Sequence, residues 1–356
     1  MFNQFLNSHP ANKLKGAIDF DGFFYVRTPD LKVSFTATPT QKARRAAQKD
    51  YFRAAHYYCK SMLNSCVMQK NNPQKKIREP QKQQLPGSEL EMDPQPIFDN
   101  DSIRGSGKLK NKVAFITGGD SGIGRAVAVL FAKEGANIVI VYLSETKDAK
   151  VTAENVEKYG KQCLAIKADL TIEKACKDAV KKAVKQFGKI DILVNNAGIQ
   201  FEQKEFTDIT TEQLLKTFQT NIFAMFWITR AALPYMAKGS NIINSTSVTA
   251  YRGSGALIDY SSTKGAILSF TRSLASNLIE KGIRVNAVAP GPIWTPLIVA
   301  SFNTEKVTKH GSDTPMKRSG EPVEVAPSYL FLACNNDSSY ITGQVLHPNG
   351  GEIING

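Results

Sequence analysis

From residue 112 onward, short runs of apolar, often β-branched residues alternate with longer stretches of helical periodicity. The runs predict seven strands, over residues 113–117, 138–142, 163–168, 190–194, 241–245, 284–289 and 344–347. The stretches between them predict six helices, over residues 123–134, 146–159, 172–187, 211–237, 259–281 and 322–334. Strands that alternate with helices and are apolar on both faces belong in a buried parallel sheet. We therefore expect an α/β fold with a single doubly wound, Rossmann-type domain.

The N-terminal part of the chain lacks this alternation. Residues 41–66 are basic and repeat their small and aromatic residues at helical spacing, which predicts a helix. Residues 69–96 are rich in Gln, Lys and Pro, and we expect them to be extended and mostly irregular because proline fixes φ and removes a donor. We accordingly divide the chain into a loosely attached or disordered leader (1–82), an arm (83–110) and the Rossmann-type domain (111–356).

Charge separates these parts further. The 356-residue chain has a net charge of +13, but residues 1–88 contribute +10 and the remainder only +3. Nucleic-acid binding by the main domain is therefore not expected. The leader is compatible with a mitochondrial presequence, although Asp19, Asp21 and Asp30 argue against one, and a shorter product starting at Met68 is a further alternative.

The apolar runs and the cysteines argue against a membrane-spanning protein and against a disulfide scaffold. The longest nearly uncharged run, 221–237, contains Arg230, so we expect no membrane span. Five scattered cysteines favour a reducing compartment such as the cytoplasm over a disulfide scaffold. His56, Cys59 and Cys66 are too few for a structural zinc site, and we expect no bound metal.

A glycine-rich turn, GGDSGIG over residues 118–124, joins the first predicted strand of the main domain to its first helix. Glycine is required where the backbone takes positive φ or where a ligand approaches closely, and the first turn of a helix offers free N–H groups to a diphosphate. The alternative is a merely structural turn. We predict a dinucleotide site whose contacts are Gly118, Ser121, Gly122, Ile123 and Gly124.

The second and third strands end at residues that bear on the cofactor. A NAD-selective site usually has an acid at the end of the second strand, but this sequence has Tyr142 there and Lys147 five residues later, which favours NADP over NAD. Arg125 either assists a 2′-phosphate or is solvated. Asp169 follows the third strand and either accepts from the adenine amino group or caps the next helix, a role for which Thr171 competes.

Four polar residues are predicted near the carboxyl edge of the sheet: Asn221, Ser247, Tyr260 and Lys264. Tyr260 and Lys264 are one helical turn apart, and an ammonium group there is expected to lower the pKa of the phenol. Ser247 can donate to a carbonyl oxygen, Lys264 can also reach a ribose, and Asn221 can hold a water that resupplies protons. The Tyr/Lys spacing alone usually marks an exposed pair, so the order of all four residues behind a glycine turn carries the prediction.

Together these motifs resemble the short-chain dehydrogenase/reductase family. The matching segments are TGGDSGIG (117–124), NNAG (195–198), Asn221, Ser247, YSSTK (260–264) and PGPIWT (290–295). The resemblance implies hydride transfer to or from NAD(P), Tyr260 as the acid/base, and a homotetramer or, less often, a dimer. It further implies cofactor contacts at Tyr142, Asp169, Leu170, Asn195, Ala197, Gly198, Tyr260, Lys264, Pro290, Gly291, Ile293 and Thr295.

The arm refines the resemblance. Residues 85–96 and 105–109 are similar to the N-terminal arm of a subgroup that includes uncharacterised bacterial oxidoreductases and glucose and ribitol dehydrogenase homologues. We expect an NAD(P)-dependent oxidoreductase that acts on an aldehyde, ketone or polyol. The alternative is a dinucleotide-binding sensor or scaffold without turnover. The loop 291–320 is expected to cover the substrate with Trp294, Leu297, Ile298, Val299 and Phe302, unless these side chains pack on the core.

Overall fold

The structure is a computed structural model that describes residues 15–18, 24–27 and 75–354. The chain divides into two units, Met1–Asn72 and Pro73–Gly356. In the first unit, β1 (Lys15–Ile18) pairs antiparallel with β2 (Phe24–Arg27). The helix predicted over 41–66 and the trio His56, Cys59 and Cys66 lie outside the described residues.

The second unit is built on a seven-stranded parallel sheet. Its strands are β3 (Val113–Thr117), β4 (Asn137–Tyr142), β5 (Cys163–Lys167), β6 (Ile192–Asn195), β7 (Asn241–Ser245), β8 (Arg284–Val288) and β9 (Val345–Leu346). They lie in the order β5-β4-β3-β6-β7-β8-β9, and every pairing is parallel. The order reverses between β3 and β6, which places a ligand crevice at the carboxyl edge there. The predicted Rossmann-type fold is confirmed.

Helices cover both faces of the sheet. They are α1 (Gly122–Lys133), α2 (Thr146–Glu157), α3 (Glu173–Phe187), α4 (Thr211–Phe218), α5 (Ala224–Ala232), α6 (Thr249–Arg252), α7 (Ile258–Leu278), α8 (Pro296–Ser301), α9 (Thr304–Lys309), α10 (Pro322–Ala333) and α11 (Asn335–Ser338). Helices α1 and α10 bury Phe131 and Tyr329 on one face. Helices α3, α5 and α7 bury Val180, Ile228 and Leu278 on the other. Apolar side chains on both sheet faces make this burial the main source of stability.

The long helix predicted over 211–237 is interrupted. A π-helical segment, Gln219–Phe223, separates α4 from α5, and a 3-10 turn with Pro234 ends the element. Proline cannot donate to a continuing helix, which explains the end. The π-helical segment contains Asn221, and such segments occur frequently at functional sites.

The segment 75–110 has little regular structure, as expected for its proline content, but it packs along the second unit. Its one helical element is the 3-10 turn Glu89–Glu91. The backbone N–H groups of Ile77 and Gln83 donate to the carbonyls of Thr308 and Val299, 2.8 and 3.0 Å away. These bonds attach the segment to α8 and α9.

The described residues contain neither a candidate membrane span nor a candidate metal site. None of their helices combines the length and apolarity needed to cross a membrane. In the same residues, no three His, Cys, Asp or Glu side chains are grouped so that they could hold a metal ion.

Candidate active site

A cleft of about 1010 Å³ runs along the carboxyl edge of the sheet. Because the strands are parallel, the loops that follow them meet at this edge. Most of the predicted site residues line the cleft: Gly118, Ser121, Gly122, Ile123, Tyr142, Asp169, Leu170, Ala197, Gly198, Ser247, Tyr260, Lys264, Pro290, Gly291, Ile293 and Thr295. Tyr142 and Asp169 follow β4 and β5, whereas Ser247 and Tyr260 follow β7, on the other side of the glycine turn.

Two predicted cofactor contacts do not line the cleft. Gly124 lies behind the turn, where an added Cβ would be 1.9 Å from the Gly118 oxygen, so its smallness serves close packing. Asn195 is buried in the sheet and donates to the side chains of Thr229 and Asn244. Asn195 therefore stabilises the sheet, because its strand position points its side chain away from the edge.

The neighbouring asparagine is the one that reaches the cleft. Asn196 Nδ2 donates to the carbonyl oxygens of Thr117 and Gly118, 3.2 and 3.0 Å away. Asn195 was the predicted contact, but successive residues at a strand end face opposite sides, so it is the Asn196 side chain that points to the turn. The structure assigns this role in the turn to Asn196.

The glycine turn has the geometry that a diphosphate needs. Gly118 and Gly122 have φ angles of 62° and 53°, which favour glycine. The N–H groups of Ile123 and Gly124, in the first turn of α1, donate to no other group in the described part of the chain. Free N–H groups at a helix N-terminus favour an anion, so the residues present fit a dinucleotide.

The basic residues considered for a 2′-phosphate are not placed to bind one. Arg125 is 2% exposed and pairs with Glu89 at 2.5 Å and with Asp148 at 2.8 Å. Lys147 is exposed and does not line the cleft. Neither alternative for Arg125 holds, because a buried carboxylate pair binds its guanidinium.

Asp169 lines the cleft and does not cap α3. Its Oδ1 accepts from the backbone N–H and the hydroxyl of Thr171, at 2.9 and 2.7 Å. Helix α3 begins at Glu173, four residues after Asp169, and Ile172 occupies the N-cap position. The local turn orients Asp169 at the edge of the sheet.

Tyr260 and Lys264 project from α7 toward Ser247, which follows β7. Burial raises the pKa of Tyr260 to about 12, with the Ser247 side chain opposing the shift. Burial lowers the pKa of Lys264 to about 8. The Lys264 Nζ donates to the Ser245 carbonyl at 2.9 Å and lies 5.3 Å from the centroid of the Tyr260 ring.

These pKa shifts differ from the sequence expectation that Lys264 lowers the pKa of Tyr260. The ammonium donates to a carbonyl of β7, and burial of the phenol is what raises the pKa of Tyr260. Only one of the three donors of Lys264 is used within the described residues. The remaining donors are available to a bound ligand in the cleft.

Asn221 lies next to this site and bonds to Ile199 in the loop that follows β6. Its Oδ1 accepts from the Ile199 N–H at 2.8 Å, and its Nδ2 donates to the Ile199 carbonyl and to Thr263 at 2.9 and 3.0 Å. A Cβ at Gly198 would be 3.3 Å from Asn221 Oδ1 and 3.6 Å from Lys264 Nζ. Asn221 thus fixes the loop after β6 beside Lys264, a role that the sequence did not indicate.

In the loop 291–320, some of the side chains expected to cover the substrate line the cleft, and others pack on the core. Leu297, Ile298 and Phe302 line the cleft. Trp294 and Val299 are fully buried, and the Trp294 indole N–H donates to the carbonyl of Pro94, 2.8 Å away. The first group is placed to meet a substrate, and the second anchors the arm.

Three of the cleft residues that the sequence did not indicate are Leu85, Pro86 and Thr249. Leu85 and Pro86 reach the cleft from the arm, whose sequence resemblance did not indicate a contact with the cleft. The Thr249 hydroxyl is buried at the cleft and has no hydrogen-bond partner within the described residues. Its position two residues after Ser247 was the only sequence signal.

A cleft with a diphosphate-binding turn on one side and a Ser/Tyr/Lys group on the other is the arrangement of a dinucleotide-dependent oxidoreductase. The chain belongs to the short-chain dehydrogenase/reductase family. Residues 118–352 match a family model described as enoyl-(acyl carrier protein) reductase. The resemblance predicted from the motifs is confirmed.

Three relatives share most of the chain. It is 59% identical to the uncharacterised oxidoreductase YhxC of Bacillus subtilis over 286 residues, which are 80% of this chain and 99% of that protein. It is 54% identical to the chloroplastic NADPH-dependent aldehyde reductase 1 of Arabidopsis thaliana, over 78% of this chain and 99% of that protein. It is 52% identical to glucose and ribitol dehydrogenase homolog 2 of the same plant, over 78% and 98%.

Solved structures show the same fold. A short-chain dehydrogenase from Burkholderia cenocepacia in complex with NADP aligns with a TM-score of 0.65 and 31% identity, over 68% of this chain and 98% of that one. The chain is therefore an NAD(P)-dependent oxidoreductase of the class that interconverts carbonyl and alcohol groups.

Proposed function

We propose that this protein interconverts an aldehyde or ketone and its alcohol with NADP(H) in preference to NAD(H). One observation carries the proposal: Ser247, Tyr260 and Lys264 line the same cleft as the glycine turn. When bound, the dinucleotide would supply or accept the hydride. The turn at 118–123, together with Asp169, Leu170, Ala197 and Gly198, would hold its adenosine and diphosphate parts.

The chain's own residues would handle the proton. In the reductive direction, the Tyr260 hydroxyl gives its proton to the carbonyl oxygen, and the Ser247 hydroxyl donates a hydrogen bond to that oxygen. The unused donors of Lys264 bind the nicotinamide ribose and stabilise the phenolate that remains. Pro290, Gly291, Ile293 and Thr295 border the nicotinamide end, and Asn221 keeps the loop after β6 in place.

Two observations support the preference for NADP and two oppose it, the first of these being that neither Arg125 nor Lys147 lines the cleft. Tyr142 places no carboxylate at the end of β4, and the Arabidopsis relative is named an NADPH-dependent reductase. Glu145 lines the same end of the cleft, and a carboxylate there favours the ribose hydroxyls of NAD. Titration with both dinucleotides distinguishes the two.

The substrate end favours a carbonyl compound with apolar bulk. Leu297, Ile298 and Phe302 supply an apolar wall, whereas a free sugar needs several donors and acceptors. The relative named for aldehyde reduction agrees with this wall. A polyol is the second candidate, because the unpartnered Thr249 hydroxyl offers one polar contact and a relative is named for glucose and ribitol.

We further propose a homotetramer or, as the smaller alternative, a dimer. Leu215, Phe223 and Phe226 are 50%, 39% and 52% exposed on the elements 211–232. Phe226 packs against Phe270 of α7, with 4.4 Å between ring centroids and the rings tilted by 49°. A second copy would bury this apolar face.

For the other parts of the chain we propose the roles expected from the sequence, except that residues 75–82 are held against the catalytic domain and are not loosely attached. We propose that residues 1–82 form a leader without catalytic function, that 83–110 form the arm, and that 111–356 form the catalytic domain. We propose no nucleic-acid partner. The compartment we propose is the cytoplasm, and the free Cys163, Cys176 and Cys334 support a reducing environment.

The first experiment is calorimetric titration with NADPH and NADH, followed by nicotinamide absorbance with aldehydes, ketones, sugars and polyols. Turnover of an apolar aldehyde or ketone with NADPH supports the proposal. Failure to bind either dinucleotide refutes it. Binding with no turnover across a broad panel favours the sensor or scaffold alternative.

Tyr260→Phe tests the assigned acid/base. The variant keeps the ring and loses the proton, so kcat should fall by about 100-fold or more. Dinucleotide affinity should stay close to wild type, because the phenol contributes little to the diphosphate contacts. An equal loss of affinity would contradict the assignment.

A further inference from the structure

The arm borders the cleft on the side of the glycine turn. The backbone N–H of Gln83 donates to Val299 in α8. At Gly87, where φ is +82°, an added Cβ would be 2.9 Å from the Pro296 oxygen. Leu85 and Pro86 between them line the cleft. The arm therefore runs directly from the substrate loop to the turn.

Glu89 makes the contact with the turn. It is 1% exposed and lies behind the turn, outside the cleft lining. One carboxylate oxygen accepts from the Gly122 N–H and the other from Arg125 Nη1, both at 2.5 Å. Arg125 in turn donates twice to the Asp120 carbonyl, at 3.0 and 2.7 Å. The carboxylate thus connects two points of the glycine turn.

Asp148 of α2 closes this network. Its Oδ2 accepts from the Ser88 hydroxyl at 2.7 Å and from the Glu89 N–H at 3.1 Å, and its Oδ1 accepts from Arg125 at 2.8 Å. Buried charges are tolerated only when their partners are in place. Burial raises the pKa of Glu89 to about 7, against the opposing effects of Arg125 and the Gly122 N–H. Both oxygens of Glu89 accept from donors, so protonation of the carboxylate would cost one of the two contacts.

We infer that Glu89 is a positioning residue of the dinucleotide site. The turn contains several glycines and has few conformational restraints of its own. By holding Gly122 and Arg125, the Glu89 carboxylate fixes the turn in the conformation that places Ile123 at the cleft with its N–H group free. This inference rests on the proposed function, since it assigns the turn to a dinucleotide.

The test compares two arm carboxylates that differ in distance from the turn. Glu89→Gln keeps the shape but places an NH₂ group against a donor. Asp99→Asn is the matched control: Asp99 accepts from Lys133 and Tyr159 at 2.6 and 2.7 Å, and none of the three lines the cleft. NADPH and NADH dissociation constants are measured by calorimetry on full-length wild type and both variants, and melting temperatures are recorded in parallel.

We expect Glu89→Gln to weaken binding of the preferred dinucleotide by roughly tenfold, which corresponds to the loss of about one charged hydrogen bond. Asp99→Asn should lower the melting temperature. It should leave the dissociation constant within about twofold of the wild-type value, a change in binding free energy smaller than that of one hydrogen bond. Equal affinity in wild type and Glu89→Gln overturns the inference. An equal loss in both variants also overturns it, because the effect is then one of general stability.

Two further results keep the test decisive. A wild-type chain that binds neither dinucleotide overturns the proposed function and this inference with it. If Glu89→Gln does not fold, Ser88→Ala replaces it, because this change removes only the bond from Ser88 to Asp148 beside Glu89. Affinity of Ser88→Ala below that of Asp99→Asn supports the inference, and equal affinity overturns it.

Discussion

Replacing Lys264 by Met is expected to make the protein more stable and inactive. Lys264 is 4% exposed, and its ammonium has a single partner among the described residues, the Ser245 carbonyl. The drop of its pKa from 10.5 to about 8 corresponds to a cost of about 3 kcal/mol for holding the charge in the folded state. Methionine fills a similar volume without a charge.

The magnitude follows from two opposing terms. Loss of the hydrogen bond to Ser245 costs about 1 kcal/mol, so the net gain is about 2 kcal/mol. For a folded unit of this size, that gain raises the melting temperature by about 3 °C. Differential scanning calorimetry of wild type and Lys264→Met at pH 7 measures it. Turnover should be lost, because the donors proposed for the ribose and the phenolate are gone.

The stability gained by Lys264→Met should decrease as the pH rises. The folded-state pKa of Lys264 lies below the unfolded value, so its cost is fully present below about pH 8. The cost decreases as the pH rises from there to the ordinary lysine value of 10.5. The difference in melting temperature between variant and wild type should therefore be larger at pH 7 than at pH 10.

Lys133→Met is the matched control. The Lys133 side chain is 4% exposed, although the residue as a whole is less buried than Lys264, and it pairs with Asp99 at 2.6 Å. Although burial lowers the pKa of Lys133, its bonds to Asp99 and Tyr159 raise it overall. This variant should lose stability. A Lys264→Met protein that melts below wild type at pH 7 would refute the reasoning, since the ammonium would then be compensated in the folded state.

Three other substitutions test single features. Gly124→Ala should displace the turn, because its Cβ would be 1.9 Å from the Gly118 oxygen, and the dinucleotide affinity measured by calorimetry should fall. Gly265→Ala is the control: Gly265 has open space around it, so this variant should keep wild-type affinity. Thr249→Val should raise stability by about 1 kcal/mol in urea unfolding, because it removes an unpartnered buried hydroxyl; a loss would mean that the hydroxyl is satisfied. Phe226→Glu should lower the molar mass of the assembly measured by light scattering. If the wild type is an oligomer and the variant has the same molar mass, the interface lies elsewhere.

Local pattern determined much of this protein. The run at 113–117 is apolar on both faces, so it had to be a central buried strand, and the structure has β3 at those residues. The glycines at 118 and 122 were recognisable because positive φ excludes most other residues. The Tyr260/Lys264 pair was recognisable because helical spacing fixes which side chains share a face.

Tertiary structure decided which side chains reach the cleft. Asn195 and Asn196 are adjacent and chemically identical, and the pairing of β6 beside β3 brings the second one next to the turn. The π-helical segment at Asn221 follows from bonds to Ile199 and Thr263, which are distant in sequence. A helix propensity contains no information about such partners.

The charged residues show the same limit most clearly. Arg125 reads as a solvated or phosphate-binding side chain, because the sequence does not show that Glu89 and Asp148 lie on either side of it. The pKa of Lys264 is likewise set by burial, which is a property of the packed chain. Sequence therefore determined the elements and the residue types of the site, whereas long-range packing determined which charges are paired and which remain free for a ligand.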